Sequence, residues 1–108
     1  MSFIGLHIEP TQCHVLIVQE NNEILGHCTK SYSVMHPQSG WVEQEAERVW
    51  QIAWQSLEDA LLMAGRFDRP KSMAISVADT ALIPVDRSGY TLRYAILGED
   101  KRDTLEIQ

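Results

Sequence analysis

Five side chains in the first 28 residues have the chemistry of metal ligands: His7, Cys13, His14, His27 and Cys28. Imidazole and thiolate are good zinc donors. Their spacing, however, contains neither a C-x-x-C nor an H-x3-H pattern. Alternation along strands would send His7 and His14 to solvent and leave Cys13 and Cys28 as small core residues, so no metal site is expected. Asp79, Asp86 and Asp100 are the acidic candidates. Asp86 stands in a turn, where Asp is favoured for its backbone bonding. Asp79 follows a strand end, where ligands often meet α/β sheets, but a solvated loop carboxylate is the preferred reading. Trp41, Trp50 and Trp54 have the flat faces that stack on sugars. Trp50 and Trp54 fall on the apolar face of a helix and read as core, and Trp41 reads as a staple between loop and helix start. No Ser-His-Asp or Cys-His arrangement is supported by spacing, and no catalytic residue is assigned.

The element that must organise these residues runs from Ser39 to Gly65. Ala46, Val49, Trp50, Ala53, Trp54, Leu57, Ala60, Leu61 and Ala64 recur in steps of three and four, the period of one buried helix face. A helix is expected from Glu43 to Ala64, with Glu43, Glu45 and Glu47 at the positive end of its dipole and Gly65 closing it. Trp50 and Leu57 are expected in the core. Before it, Phe3 to Ile8, Cys13 to Gln19 and Ile24 to Tyr32 read as strands separated by short turns at residues 9–12 and at Asn21-Asn22, an antiparallel meander. Residues 33–42 read as loop. After it come a polar link at 66–71 and a buried strand from Met73 to Val77, parallel to the first. Ala81 to Val85 and Thr91 to Leu97 flank a turn at residues 86–90. The last eleven residues read as loosely ordered or as the start of a short helix.

At 108 residues, 44% hydrophobic and 22% charged, the chain is expected to form a single domain, 1–108. Its net charge of −6 and pI near 5.0 argue against a nucleic-acid partner. No apolar run approaches a bilayer-spanning length, and the start lacks the pattern of a signal peptide. A cytoplasmic location with reduced thiols is expected.

Several segments, in order, resemble the FGGY family of carbohydrate kinases, and xylulokinases in particular. His36-Pro37-Gln38-Ser39-Gly40-Trp41-Val42-Glu43-Gln44-Glu45 with Val49-Trp50 is similar to the family's PGW-x-EQ…WW segment. Ile4-Gly5-Leu6 resembles the family's first strand, and Asn21 to Leu25 its D-x-x-G-x-(I/V)-L turn. Asp86 to Gly89, Leu92 to Leu97, and Asp100 with Arg102 resemble the DADG…LRPAILW hairpin and the D-x-R after it. The resemblance implies a ribonuclease-H-like α/β fold, that of the sugar kinase, hexokinase and actin superfamily. It would have about five or six strands in a mixed sheet, in the order β-β-β-α-β plus a hairpin.

The same resemblance implies a damaged active site. The family's first hairpin reads D-x-G-T-(S/T)-x-x-(K/R), where glycine and hydroxyl residues open backbone amides to nucleotide phosphates and the acid helps hold magnesium. The matching positions here are His7, Glu9, Pro10, Thr11 and His14. The sugar-site positions are equally altered: Ala78, Asp79 and Thr80 stand where the family has a G-Q-M-H-type turn. Gly98 replaces a tryptophan, with Asp100 and Arg102 following. The expected role is thus a partial N-terminal lobe, a fragment or a short degenerate relative, silent by itself. ATP and magnesium belong to intact relatives and not to this chain alone, and a sugar substrate only to a longer kinase. The rival expectation is a non-enzymatic binding or oligomerisation module, and a homodimer is expected to hide an uncovered sheet.

Overall fold

The computed structural model describes residues 1–65 and 69–102. Eight elements follow in order: β1 (Ser2–Ile8), β2 (Gln12–Gln19), β3 (Ile24–Ser31), β4 (Glu43–Gln44), α1 (Ala46–Ala64), β5 (Pro70–Val77), β6 (Ala81–Leu82) and β7 (Ala95–Leu97). β1, β2 and β3 form the antiparallel meander, and β5 joins parallel to β1, giving the sheet order β3-β2-β1-β5. A second, three-stranded sheet has the order β4-β7-β6. The mixed sheet with one long helix is the expected architecture, with the strands shared between two sheets. The β2–β3 turn is built as its sequence suggests: Asn22 takes φ 69°, and the Glu23 N–H donates to Asn21 Oδ1 at 3.0 Å. Parts of the expected 66–71 link and of the last eleven residues lie outside the described residues.

The core sits between α1 and the meander. Leu6, Val15, Ile17 and Ala60 form one buried cluster, and Cys13, Tyr32, Ile52 and Ala53 form another. Small residues let the helix come close. A Cβ added to Gly26 on β3 would land on the Ala60 carbonyl, and Ser56, fully buried, donates to the Ile52 carbonyl at 2.8 Å beside the Cys13 sulfur. A hydroxyl bonded back to its own helix can be buried at little cost. Gly65 ends the helix at φ 81°, its N–H donating to Leu61 O at 3.2 Å.

Three expectations change here. The helix begins at Ala46, because Glu43 and Gln44 are spent as strand β4; only Glu47 lies in the first turn, and Glu45 makes no side-chain cap. Trp50 and Trp54 are not core: they are 57% and 50% exposed, their rings 6.0 Å apart. The buried line of α1 is Ile52, Ala53, Ser56 and Ala60, with Val49 and Leu57 half-buried beside it, so the tryptophans fall on a flank. The strand at Met73 to Val77 is present but exposed along its length, because α1 packs chiefly on β3 and β2.

Ile17→Ala should cost on the order of 2–5 kcal/mol, the range for a truncated core side chain. Trp50→Ala should cost less than about 1 kcal/mol in the isolated chain, as for a surface position. Urea unfolding of both variants checks this, and a large loss at Trp50 would mean its flank is covered in solution.

Candidate functional site

The two clusters that the sequence marks for chemistry lie on separate parts of the fold. The first is the β1–β2 turn. The Glu9 N–H donates to Gln12 O at 2.8 Å, and the Tyr32 hydroxyl reaches the carbonyls of both Glu9 (2.5 Å) and Gln12 (2.8 Å). The Tyr32 N–H takes the Thr11 carbonyl at 3.0 Å, and Gln44 Nε2 takes that of Pro10 at 2.7 Å. Every carbonyl of the turn is therefore engaged from within the protein, and Pro10 has no N–H to offer. Burial pushes the Tyr32 phenol up to about 12, so the hydroxyl remains a donor at neutral pH.

Beside this turn a polar row crosses the sheet on the face away from α1. His14 Nδ1 lies 3.0 Å from Thr29 Oγ1, and His7 Nδ1 lies 2.5 Å from Ser76 Oγ. The two imidazoles are stacked at 6.1 Å, and each Nε2 is 3.5 Å from Glu9 Oε1. The Gln12 amide on Glu9 Oε2, with His14 and His7 adding to it, holds that carboxyl below its ordinary range. Among the described residues no group of three His, Cys, Asp or Glu is placed to hold a metal ion. Cys13 is buried against Ser56, Cys28 packs at the core edge, and His27 is exposed.

The second cluster surrounds β7. A cavity of about 440 Å³ is lined by Thr80, Leu82, Ile96, Gly98, Asp100 and Arg102. Asp79 is at its rim: a Cβ on Gly98 would meet Asp79 Oδ1 and Thr80 Oγ1 at 2.6 and 2.8 Å. Any side chain in place of Gly98 must displace both. Ala78 is held by its N–H to Ile8 O at 2.9 Å and does not line the cavity. Asp86 caps its own turn through the N–H groups of Ser88 and Tyr90, a structural task.

An ionic network holds two of this cavity's lining residues, Asp100 and Arg102. Asp100 accepts from Arg102 Nε and Nη2 at 2.9 and 2.8 Å, and from the Val42 N–H at 2.6 Å. Arg102 Nη2 also donates to Glu43 Oε2 at 2.6 Å, as does Arg93 Nη2. The guanidinium of Arg102 lies 3.9 Å over the Trp41 ring, so Trp41 stacks on a cation instead of stapling the helix. Sequence spacing placed Glu43 on the helix and missed Arg93, because the partners of Glu43 lie 50 and 59 residues away.

The Arg102 side chain beside Asp100, with backbone N–H groups of Arg102 and Val42, holds that carboxyl well below the usual range. A carboxyl depressed in the folded state stabilises above its unfolded value of about 3.9 and loses that contribution as pH falls below it. Asp100→Asn should therefore lower the thermal midpoint at pH 7 and flatten its decline below about pH 4. Thermal unfolding across pH measures both, and an equally steep acid decline in the variant would place the sensitivity elsewhere.

Comparison with known proteins gives this geometry its context. Residues 3–108 match the profile of the FGGY family of carbohydrate kinases, N-terminal domain. The xylulose kinase of Staphylococcus xylosus is 27% identical over 107 residues, covering 97% of this chain and 22% of that protein. The glycerol kinase of Haloferax volcanii is 25% identical over 101 residues, covering 91% and 20%. The crystal structure of xylulose kinase from Rhodospirillum rubrum superposes with a TM-score of 0.92 at 25% identity, over 99% of this chain and 22% of that one. Plasmodium falciparum glycerol kinase with ADP shares the fold, with a TM-score of 0.86 at 16% identity, over 98% and 22%. The chain thus spans about a fifth of the length of these relatives. With the family profile covering nearly all of it, this chain belongs to the FGGY family of carbohydrate kinases, as part of their N-terminal domain.

Proposed function

We propose that this chain is the opening part of a sugar-kinase lobe whose sugar-side positions, though altered in kind, still gather around one cavity, and whose nucleotide side has been given up. In intact relatives the activity the family implies is transfer of the ATP γ-phosphoryl group, with magnesium, to a sugar or polyol hydroxyl. The observation that carries the reading is the gathering of Thr80, Gly98, Asp100 and Arg102 around one cavity, with Asp79 at its rim. These are the positions that resemblance assigns to the sugar. Glycine at 98 leaves the mouth of that cavity without a large side chain, and the carboxylate of Asp79 supplies an acceptor for hydroxyls.

The nucleotide and its metal do not fit the other cluster. A polyphosphate needs N–H donors facing outward and a carboxylate for the cation. The β1–β2 turn instead has its Glu9 N–H spent on Gln12 O, a proline in place of the next donor, and Glu9 placing negative charge beside it. Among the described residues no catalytic base is assigned.

Backbone NMR on the isolated chain tests both halves. Glycerol or xylulose at tens of millimolar should shift amides at 79–80 and 98–102. Magnesium-ATP should bind no tighter than about millimolar and leave residues 7–14 unmoved. Micromolar ATP affinity with shifts at 7–14 would return the turn to a phosphate-binding role, and sugar-induced shifts elsewhere would remove the cavity from the site.

A further inference from the structure

The polar row on the face of the main sheet away from α1 has the connectivity of a nucleophile, a base and an acid. Thr29, His14, His7 and Ser76 stand in one register row across β3, β2, β1 and β5. Ser76 Oγ lies 2.5 Å from His7 Nδ1, and His7 Nε2 lies 3.5 Å from Glu9 Oε1. A hydroxyl at one ring nitrogen and a carboxylate at the other let an imidazole draw the proton from an alcohol. The contact to Glu9 is looser than a formed hydrogen bond, as such contacts often are before a substrate arrives. The carboxylate favours the ring proton on Nε2, which leaves Nδ1 as the acceptor for the Ser76 proton. Ser76 and His7 are 69 residues apart, so chain spacing could not reveal the pairing.

The mirror branch through Thr29, His14 and Glu9 has comparable contacts, at 3.0 and 3.5 Å, but less room. Thr29 is a secondary alcohol, and the next row on its side is filled by His27 and Leu16. On the Ser76 side the next row is Gly5 and Ala74. A Cβ at Gly5 would meet nothing within 4 Å, and the exposed Phe3 and Leu16 border it. A shallow apolar notch therefore lies next to the Ser76 hydroxyl. Among the described residues β5 is the edge of its sheet, and Ala78 gives its N–H to Ile8 O. Backbone groups alternate in direction along a strand, so the Val77 N–H points off that edge. The amide after a nucleophilic serine is a recurrent oxyanion donor.

We propose that Ser76, His7 and Glu9 form an acyl-transfer site for short-chain acyl esters, with the acyl chain in the Gly5 notch. Ser76 Oγ attacks the ester carbonyl carbon while its proton passes to His7 Nδ1 and the Val77 N–H meets the oxyanion. The bond from that carbon to the alcohol oxygen then breaks, and His7 returns the proton to the departing alkoxide. Water adds to the acyl-serine and gives a proton to His7. The bond to Ser76 Oγ breaks, the oxygen takes that proton back, and a carboxylic acid leaves. The inference is independent of the sugar-kinase reading and uses none of residues 79–80 and 98–102.

The test treats the chain with para-nitrophenyl acetate at neutral pH and follows nitrophenolate release and peptide mass. A burst is expected, with one acetyl group per chain on Ser76. Ser76→Ala should remove the adduct, and His7→Gln should slow its formation at least about hundredfold, the usual scale for a lost general base. Glu9→Gln should slow it at least about tenfold through the orientation of His7. His27→Gln, an exposed imidazole on the same face but outside the relay, should leave the rate unchanged. Ser76→Cys keeps a nucleophile at the position and should again be acetylated there in a His7-dependent way, which holds the test open should Ser76→Ala fail to fold. Acetyl groups on histidine, lysine or the N-terminus instead of Ser76 mark ordinary surface reactivity and overturn the relay. So does a burst that survives Ser76→Ala and His7→Gln, or the absence of any adduct.

Discussion

One buried carboxylate, Glu43, ties the segments on either side of β7 to the strand before α1. It is 5% exposed and accepts from two guanidinium groups, one from the segment before β7 and one from the turn after it. A buried charge is tolerated only when fully partnered, and removing one partner from such a group is far more costly than the pair is stabilising. The network therefore specifies one arrangement more than it adds stability. β4 is only two residues long and could not hold the small sheet in place through its ladder alone. Because Asp100 also accepts from the Val42 N–H, the loop before α1, the β7 strand and the cavity wall share one set of bonds.

The neighbouring Gln44 extends this logic toward the first turn. Its side-chain amide bonds the carbonyls of Pro10 and Ser33, so adjacent residues of β4 face opposite clusters, one ionic and one neutral. Period-two alternation puts consecutive side chains on opposite faces of a strand. This short strand is thus the joint between the two candidate sites, and the family-like Trp-Val-Glu-Gln stretch encodes a crossing point as well as a helix start.

The meander, the helix and the parallel fifth strand were legible because each is set by local period or by a connection rule. The Asp86 turn and the Asn21-Asn22 turn were legible from side chains that bond their own backbone. Two things were not. Helical periodicity shows which residues share a stripe, but not how wide a sheet lies beneath it, so Trp50 and Trp54 seemed central when small residues such as Ser56 and Ala60 make the close contact. The ionic network was invisible because its members are far apart in the chain and each has an ordinary local explanation. The candidate site was legible as positions through family resemblance. Its contents, such as Asp79 and Thr80 crowding Gly98, needed coordinates.

Tyr32 sits just past the end of β3, yet its hydroxyl spans the two ends of the β1–β2 turn. Gln12 O also takes the Glu9 N–H within the turn, but Glu9 O is met by the Tyr32 hydroxyl, which is brought there by the pairing of β3 with β2. The first hairpin is consequently not a self-sufficient nucleus. Its turn is locked by a residue twenty or more positions downstream, which makes closure of the meander a three-strand event. During synthesis, a chain that has emerged only as far as Gln19 would carry a turn closed by the Glu9 N–H alone, without the Tyr32 lock. The compact form of this unit begins with the third strand and not the second.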